Sequence, residues 1–99
     1  MGGFVQIIEY ETDKPEEMKA LRNEMRDDMG DTAASFGRLV VTQDRDNPRR
    51  YLIIVEFPSY EEAMENSGRA ETDAFAGRMA ALCTRGPIYY NLDVQRTVP

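Results

Sequence analysis

Five polar side chains interrupt segments that otherwise read as apolar strands: Gln6, Arg38, Glu56, Asn91 and Asp93. A polar group inside a strand costs free energy unless it is satisfied, so each calls for a partner or a ligand. Gln6 is the leading candidate, because a neutral amide both donates and accepts and so suits orienting a carbonyl or a phenol. Asn91 offers the same chemistry near the other end of the chain. Glu56 and Asp93 are the strand acids nominated as proton acceptors, although both types also suit a surface or an interface. Arg38 reads first as half of an ion pair across the sheet or between subunits, and second as a ligand contact. Tyr10, Tyr51, Tyr60, Tyr89 and Tyr90 supply hydroxyls and flat faces, and of these Tyr60 is assigned to the ligand site with Gln6, Arg38 and Asn91.

Other chemistry is disfavoured by what the chain lacks. It has no His and a single Cys. A transition-metal site would need carboxylates, and the acids are spread along helical segments without ligand-like spacing, so no metal is expected. No glycine-rich loop follows a strand, which argues against a nucleotide cofactor. Cys83 has no imidazole to activate it and reads as core packing. Met18, Met25 and Met29 read as core before they read as a soft ligand wall. Glu61, Glu62 and Glu65 read as a solvated face. The formal charge of −6 disfavours nucleic acid and anionic membranes as partners. No apolar run reaches membrane-spanning length. No signal peptide is read at the N-terminus, and Gln6 breaks a myristoylation pattern. With one Cys and no internal disulfide, a cytoplasmic location is expected.

The elements that must position these residues follow from pattern. The strand at Tyr51–Phe57 is apolar on both faces: Tyr51, Ile53, Val55 and Phe57 point one way, Leu52 and Ile54 the other. Gly3–Glu11 repeats the pattern. A first helix is expected with Asp13 as N-cap and Pro15 in its first turn, carrying Met18, Leu21, Met25 and Met29 to a stop at Gly30. A second strand is expected over Phe36–Asp44, turning through Asp44–Pro48 into the third. Ser59 caps a helix with Glu62 at the reciprocal position. Asn66–Gly68 breaks that helix, and a further one begins near Thr72. Gly86–Pro87 ends it, and Ile88–Arg96 forms the fourth strand. The order β-α-β-β-α-β, with the second α broken, gives an α+β ferredoxin-like antiparallel sheet of order 4-1-3-2 in a single domain, residues 1–99. The central strands are then the two that are apolar on both faces. One helical layer covers one face, so the other face calls for a second copy.

The stretch Val55–Ser67, then Glu71, Thr72 and Phe75, then Gly86–Pro87 with Asn91–Val94, resembles the antibiotic biosynthesis monooxygenase family. The resemblance implies a dimeric α+β barrel, in which two ferredoxin-like sheets pack face to face. It implies a cofactor-independent monooxygenase-like protein acting on a small aromatic molecule of polyketide or quinol type. The alternative is a ligand-binding or accessory barrel without turnover. A polar cluster converging in a pocket favours the first, and a purely apolar pocket the second. Haem-degrading members use a His to hold iron, with Asn and Trp beside the haem. This chain has neither His nor Trp, so haem degradation is not expected. Gln6 falls near the Asn position, and Phe57 near the Trp position, which adds Phe57 to the ligand-site residues.

Overall fold

The computed structural model describes residues 3–28 and 37–98. The elements run β1 (Phe4–Glu11), α1 (Pro15–Asp28), β2 (Leu39–Gln43), β3 (Arg50–Phe57), α2 (Tyr60–Ser67), α3 (Ala70–Leu82) and β4 (Arg85–Asp93). The four strands form one sheet in the order β2-β3-β1-β4, and every neighbouring pair is antiparallel. This is the expected α+β ferredoxin-like fold, with the helical segment after β3 broken in two.

Pleating sorts the strand residues between two faces. Phe4, Tyr10, Ile53, Val55 and Phe57 are buried, together with Met18 and Leu21 of α1, Ala63 of α2 and Met79 of α3. All three helices therefore cover one face. The alternate residues Val5, Ile7, Leu52 and Ile54 occupy the opposite face and are only half-buried. Of the methionine stripe, Met18 is core as expected. The Met25 side chain, Met29, Gly30 and Phe36 lie outside the described residues.

Local chemistry sets the boundaries. The α1 entrance differs from the expected Asp13 cap. The helix begins at Pro15, and it is the buried Thr12 whose hydroxyl accepts the Lys14 N–H at 3.0 Å while donating to the Leu82 carbonyl at 2.6 Å. One hydroxyl thus joins the start of α1 to the end of α3. The β2–β3 turn is built as its composition predicts, with the Asp46 N–H on Asp44 Oδ1 at 2.8 Å and the Arg49 N–H on Asn47 Oδ1 at 3.2 Å. Ser59 caps α2 by accepting the Glu62 N–H at 3.2 Å. The Cys83 thiol donates to the Met79 carbonyl at 3.1 Å and packs against the core. Burial pushes that thiol up, away from the reactive thiolate.

The last strand departs furthest from expectation. It begins at Arg85, ahead of Gly86–Pro87, and ends at Asp93 rather than Arg96. Gly86 has φ +84°, and a Cβ there would stand 2.7 Å from the Glu9 carbonyl oxygen. Only glycine permits that approach, and the β1–β4 register shifts at this point, between Glu9 and Glu11. Pro87, which has no N–H to give, is tolerated because β4 is an edge strand with an irregularity there.

Candidate functional site

Gln6 and Asn91 are direct partners across β1 and β4, and Gln6 Nε2 donates to Asn91 Oδ1 at 3.0 Å. Both stand on the helix-covered face, in a row with Val55 and Leu39. In the next row Asp93 stands beside Phe4 and Phe57. Phe4 meets Tyr60 edge-on at 5.4 Å and lies 6.4 Å from Phe57. The hydrogen bond between the amides uses one donor and one acceptor. It leaves Asn91 with two N–H groups and Gln6 with its carbonyl for a ligand. Of these aromatics Tyr60 is exposed and adds flat surface at this end, whereas Phe4 and Phe57 are buried beneath it.

An open groove of about 530 Å³ lies at this end, lined by Gly3, Pro58, Ser59, Tyr60, Glu61, Asp93, Val94 and Gln95. Asp93 and Tyr60 are both exposed on it. Of the residues nominated from sequence, Tyr60 and Asp93 line this groove, while Gln6 and Asn91 stand one row away outside it and Phe57 is buried beside Phe4. Glu56 and Arg38 do not join them. They stand on the bare face and bind each other, Arg38 Nη2 to Glu56 Oε2 at 2.9 Å and Nε to the same oxygen at 3.1 Å. The first reading of Arg38, a structural ion pair across the sheet, matches this geometry.

Among the described residues the acid most withdrawn from solvent is Glu9, which is not one of those nominated from sequence. It is 8% exposed and sits on the bare face between Leu52 and Ile88. Arg50 Nε donates to its Oε2 at 2.8 Å, and the Tyr90 hydroxyl donates to its Oε1 at 2.8 Å. Arg50 Nη1 also reaches Asp44 Oδ2 at 3.0 Å. The Arg50 and Tyr90 hydrogen bonds hold the Glu9 carboxyl below its usual range, and the same bond raises Tyr90. Glu9 is thus the opposite of a carboxylate raised toward accepting a proton at neutral pH. The sequence did carry a signal: Glu9 breaks the Ile7–Ile8 apolar run as plainly as Gln6 does. Its arginine lies forty-one residues away, and only the β1–β3 register brings the two together.

A second polar arrangement lies inside the covered face. Tyr10 stacks on Tyr51 with ring centroids 5.4 Å apart and planes 9° from parallel. The Tyr10 hydroxyl accepts from Arg22 Nη1 at 2.8 Å, and Gln43 Nε2 donates to the Tyr51 hydroxyl at 3.3 Å. Burial raises Tyr10, and the neighbouring Arg22 opposes the shift. Tyr10 is 1% exposed, which suits a role in the core and not at a ligand surface. Among the described residues no three His, Cys, Asp or Glu side chains gather as a metal site, and no helix is long and apolar enough to cross a membrane.

No family model matches the chain, and no curated protein matches it. Solved structures do. SnoaB, a cofactor-independent oxygenase from Streptomyces nogalater, superposes with a TM-score of 0.81 at 15% identity, over 100% of this chain and 99% of that one. A conserved protein from Methanosarcina mazei gives 0.80 at 10% identity, over 93% and 92%. A Nitrosomonas europaea protein assigned to the antibiotic biosynthesis monooxygenases gives 0.77 at 15% identity, over 98% and 92%. Identities this low carry the fold and no further, and on that footing the chain has the fold of the antibiotic biosynthesis monooxygenases.

Proposed function

We propose that this chain works as a homodimer and acts on a small aromatic molecule of polyketide or quinol type, as a cofactor-independent monooxygenase. The observation that carries the reading is the Gln6–Asn91 amide pair on the helix-covered face, set one row from Phe4, Phe57 and Asp93. The Asn91 N–H groups orient a substrate carbonyl or phenolate, and the exposed Tyr60 ring stacks on the substrate's ring. Asp93, at the rim, accepts the proton that leaves the substrate. A deprotonated anthrone-type carbon passes one electron to dioxygen, the radical pair combines to a hydroperoxide, and loss of water leaves a quinone. One dioxygen is consumed, and one water is released for each CH₂ converted to a carbonyl. The protein supplies orientation and a proton acceptor, so no metal or flavin is required. The SnoaB likeness in fold supports this reading.

A second reading, a ligand-binding or accessory barrel without turnover, has its own observation. Asp93 is exposed, and the enclosed acid Glu9 is tied to Arg50 on the other face. Oxygen uptake by pure protein with a panel of anthrones, quinols and phenols separates the two. Uptake that is lost in Gln6→Leu and Asn91→Leu supports the enzyme. Saturable binding of the same compounds without uptake supports the binding module, and neither uptake nor binding sinks both. The cytoplasm remains the proposed location.

A further inference from the structure

The bare face of the sheet can be laid out row by row from the strand register. The first row is Arg38, Glu56, Val5, Leu92; the second is Val40, Ile54, Ile7, Tyr90. The third is Thr42, Leu52, Glu9, Ile88, and the fourth is Asp44, Arg50, Glu11, Arg85. Apolar groups fill the middle of this field, and charges are confined to two of its edges, with one exception. Glu9 stands in the third row among apolar neighbours, and Arg50 reaches across from the fourth row to hold it.

With strands about 4.8 Å apart and rows about 6.8 Å apart, the field has a flat footprint of roughly 500 Å². Its accessible surface is larger than that projection, so it is on the scale of the ~800 Å² that each partner gives to a standard interface. The face also carries little of the chain's charge. Four acids stand against three arginines there, so it holds one negative charge of the six in excess over the chain. Two copies can therefore meet at this face while their acidic helical surfaces stay apart. A partner chosen for its charge would find little to recognise here.

We infer that Arg50 is the residue that lets a second copy cover this face, because its fork pairs with Glu9 and Asp44 together and leaves neither carboxylate without a cationic partner under the interface. The inference rests on the homodimer proposed above and adds what that dimer depends on. Covering a carboxylate that has lost its arginine is costly, and the cost falls if the carboxylate is protonated. The groups around Glu9 are Arg50 on β3, Asp44 in the turn before it, Tyr90 and Arg85 on β4, and Glu11 on β1 itself. Among the described residues none but Arg50 gives Glu9 a cationic hydrogen-bond donor, since Arg85 is paired with Glu11 at 3.4 Å.

Analytical ultracentrifugation of full-length protein tests this across pH. The wild type is expected to be a dimer throughout. Arg50→Met is expected to weaken association by about tenfold or more near neutral pH, recovering as the pH falls toward about 5. Glu9→Gln combined with Arg50→Met is expected to restore the dimer at neutral pH. An Arg50→Met dimer as tight as wild type overturns the inference and leaves the homodimer standing. So does a double variant that stays monomeric while folded by circular dichroism. A monomeric wild type overturns the homodimer reading itself, and this inference with it. If Arg50→Met does not fold, Glu9→Gln alone decides: association within about threefold of wild type is required, and a larger loss overturns the inference.

Discussion

Ile53 and Ile54 are adjacent, chemically identical, and belong to different parts of the molecule. Ile53 is 4% exposed beneath the helices, whereas Ile54 is half-buried on the bare face. The same split runs along β1, where Phe4 and Tyr10 are core while Val5 and Ile7 are not covered by any described helix. Apart from Asp93 at its rim, the covered face gathers its polar groups as neutral amides and phenols: Gln6, Asn91, Tyr10 and Tyr51. The bare face gathers them as ion pairs, Arg38 with Glu56, and Arg50 with Glu9 and Asp44. Neutral amides keep donors and acceptors to spare for a ligand. Ion pairs consume theirs, which suits a surface that must be covered by something already complete.

The largest effect expected from breaking this comparison is on the covered side. Ile53→Ala should cost about 2–5 kcal/mol in urea unfolding, whatever the protein concentration, because a fully packed side chain leaves a cavity. Ile54→Asp should leave the monomer folded by circular dichroism. It should weaken dimerisation by at least about tenfold in sedimentation, because it sets an unpaired charge among Val40, Ile7 and Leu52. Equal effects of the two changes on monomer stability would erase the distinction between the faces.

The acid limb of stability sharpens the comparison further. The folded-state pKa of Glu9 lies below its ordinary value of about 4.3, so its contribution is present above that pH. That contribution is lost as the pH falls through the folded value. Asp44, held down by the Asp46 N–H and then by Arg50, acts in the same direction. Glu9→Gln should therefore flatten the loss of stability below about pH 4, measured as the urea midpoint against pH. An unchanged acid limb would mean that Glu9 contributes nothing there. Ser59→Ala should cost about 1 kcal/mol by removing the α2 cap, and thermal unfolding measures it. Gln6→Leu should change stability least, within about 0.5 kcal/mol, and should act instead on binding or turnover of the aromatic ligand.

Much of this was legible in the chain. Alternation over residues 51–57, and the Ser59–Glu62 cap, place β3 and α2 within a residue or two. Topology follows from right-handed crossovers and one hairpin. Gly86–Pro87 misled because the pair reads locally as a helix stop. Its actual role depends on the approach of the Glu9 carbonyl from another strand, which no local pattern encodes. The site was half legible for the same reason. A polar residue in an apolar strand announces itself, but which face it takes depends on the register of the strand. That parity put Gln6, Asn91 and Asp93 together, and Glu56 on the far side. The pairing of Glu9 with Arg50 is a fact of register alone.

The Tyr10–Tyr51 stack has a practical consequence, since the chain has no tryptophan. Nearly all its intrinsic ultraviolet emission comes from five tyrosines, and their surroundings differ. Tyr10 and Tyr51 are π-stacked between sheet and helices, whereas Tyr90 donates its phenolic proton to a carboxylate on the bare face, an arrangement that quenches tyrosine light. Unfolding releases both sets, whereas separation of the two copies of the proposed dimer would disturb only the second. Subtracting the emission of Tyr90→Phe from that of the unaltered protein would isolate the second signal, so that assembly and folding could be followed in one cuvette with no label attached.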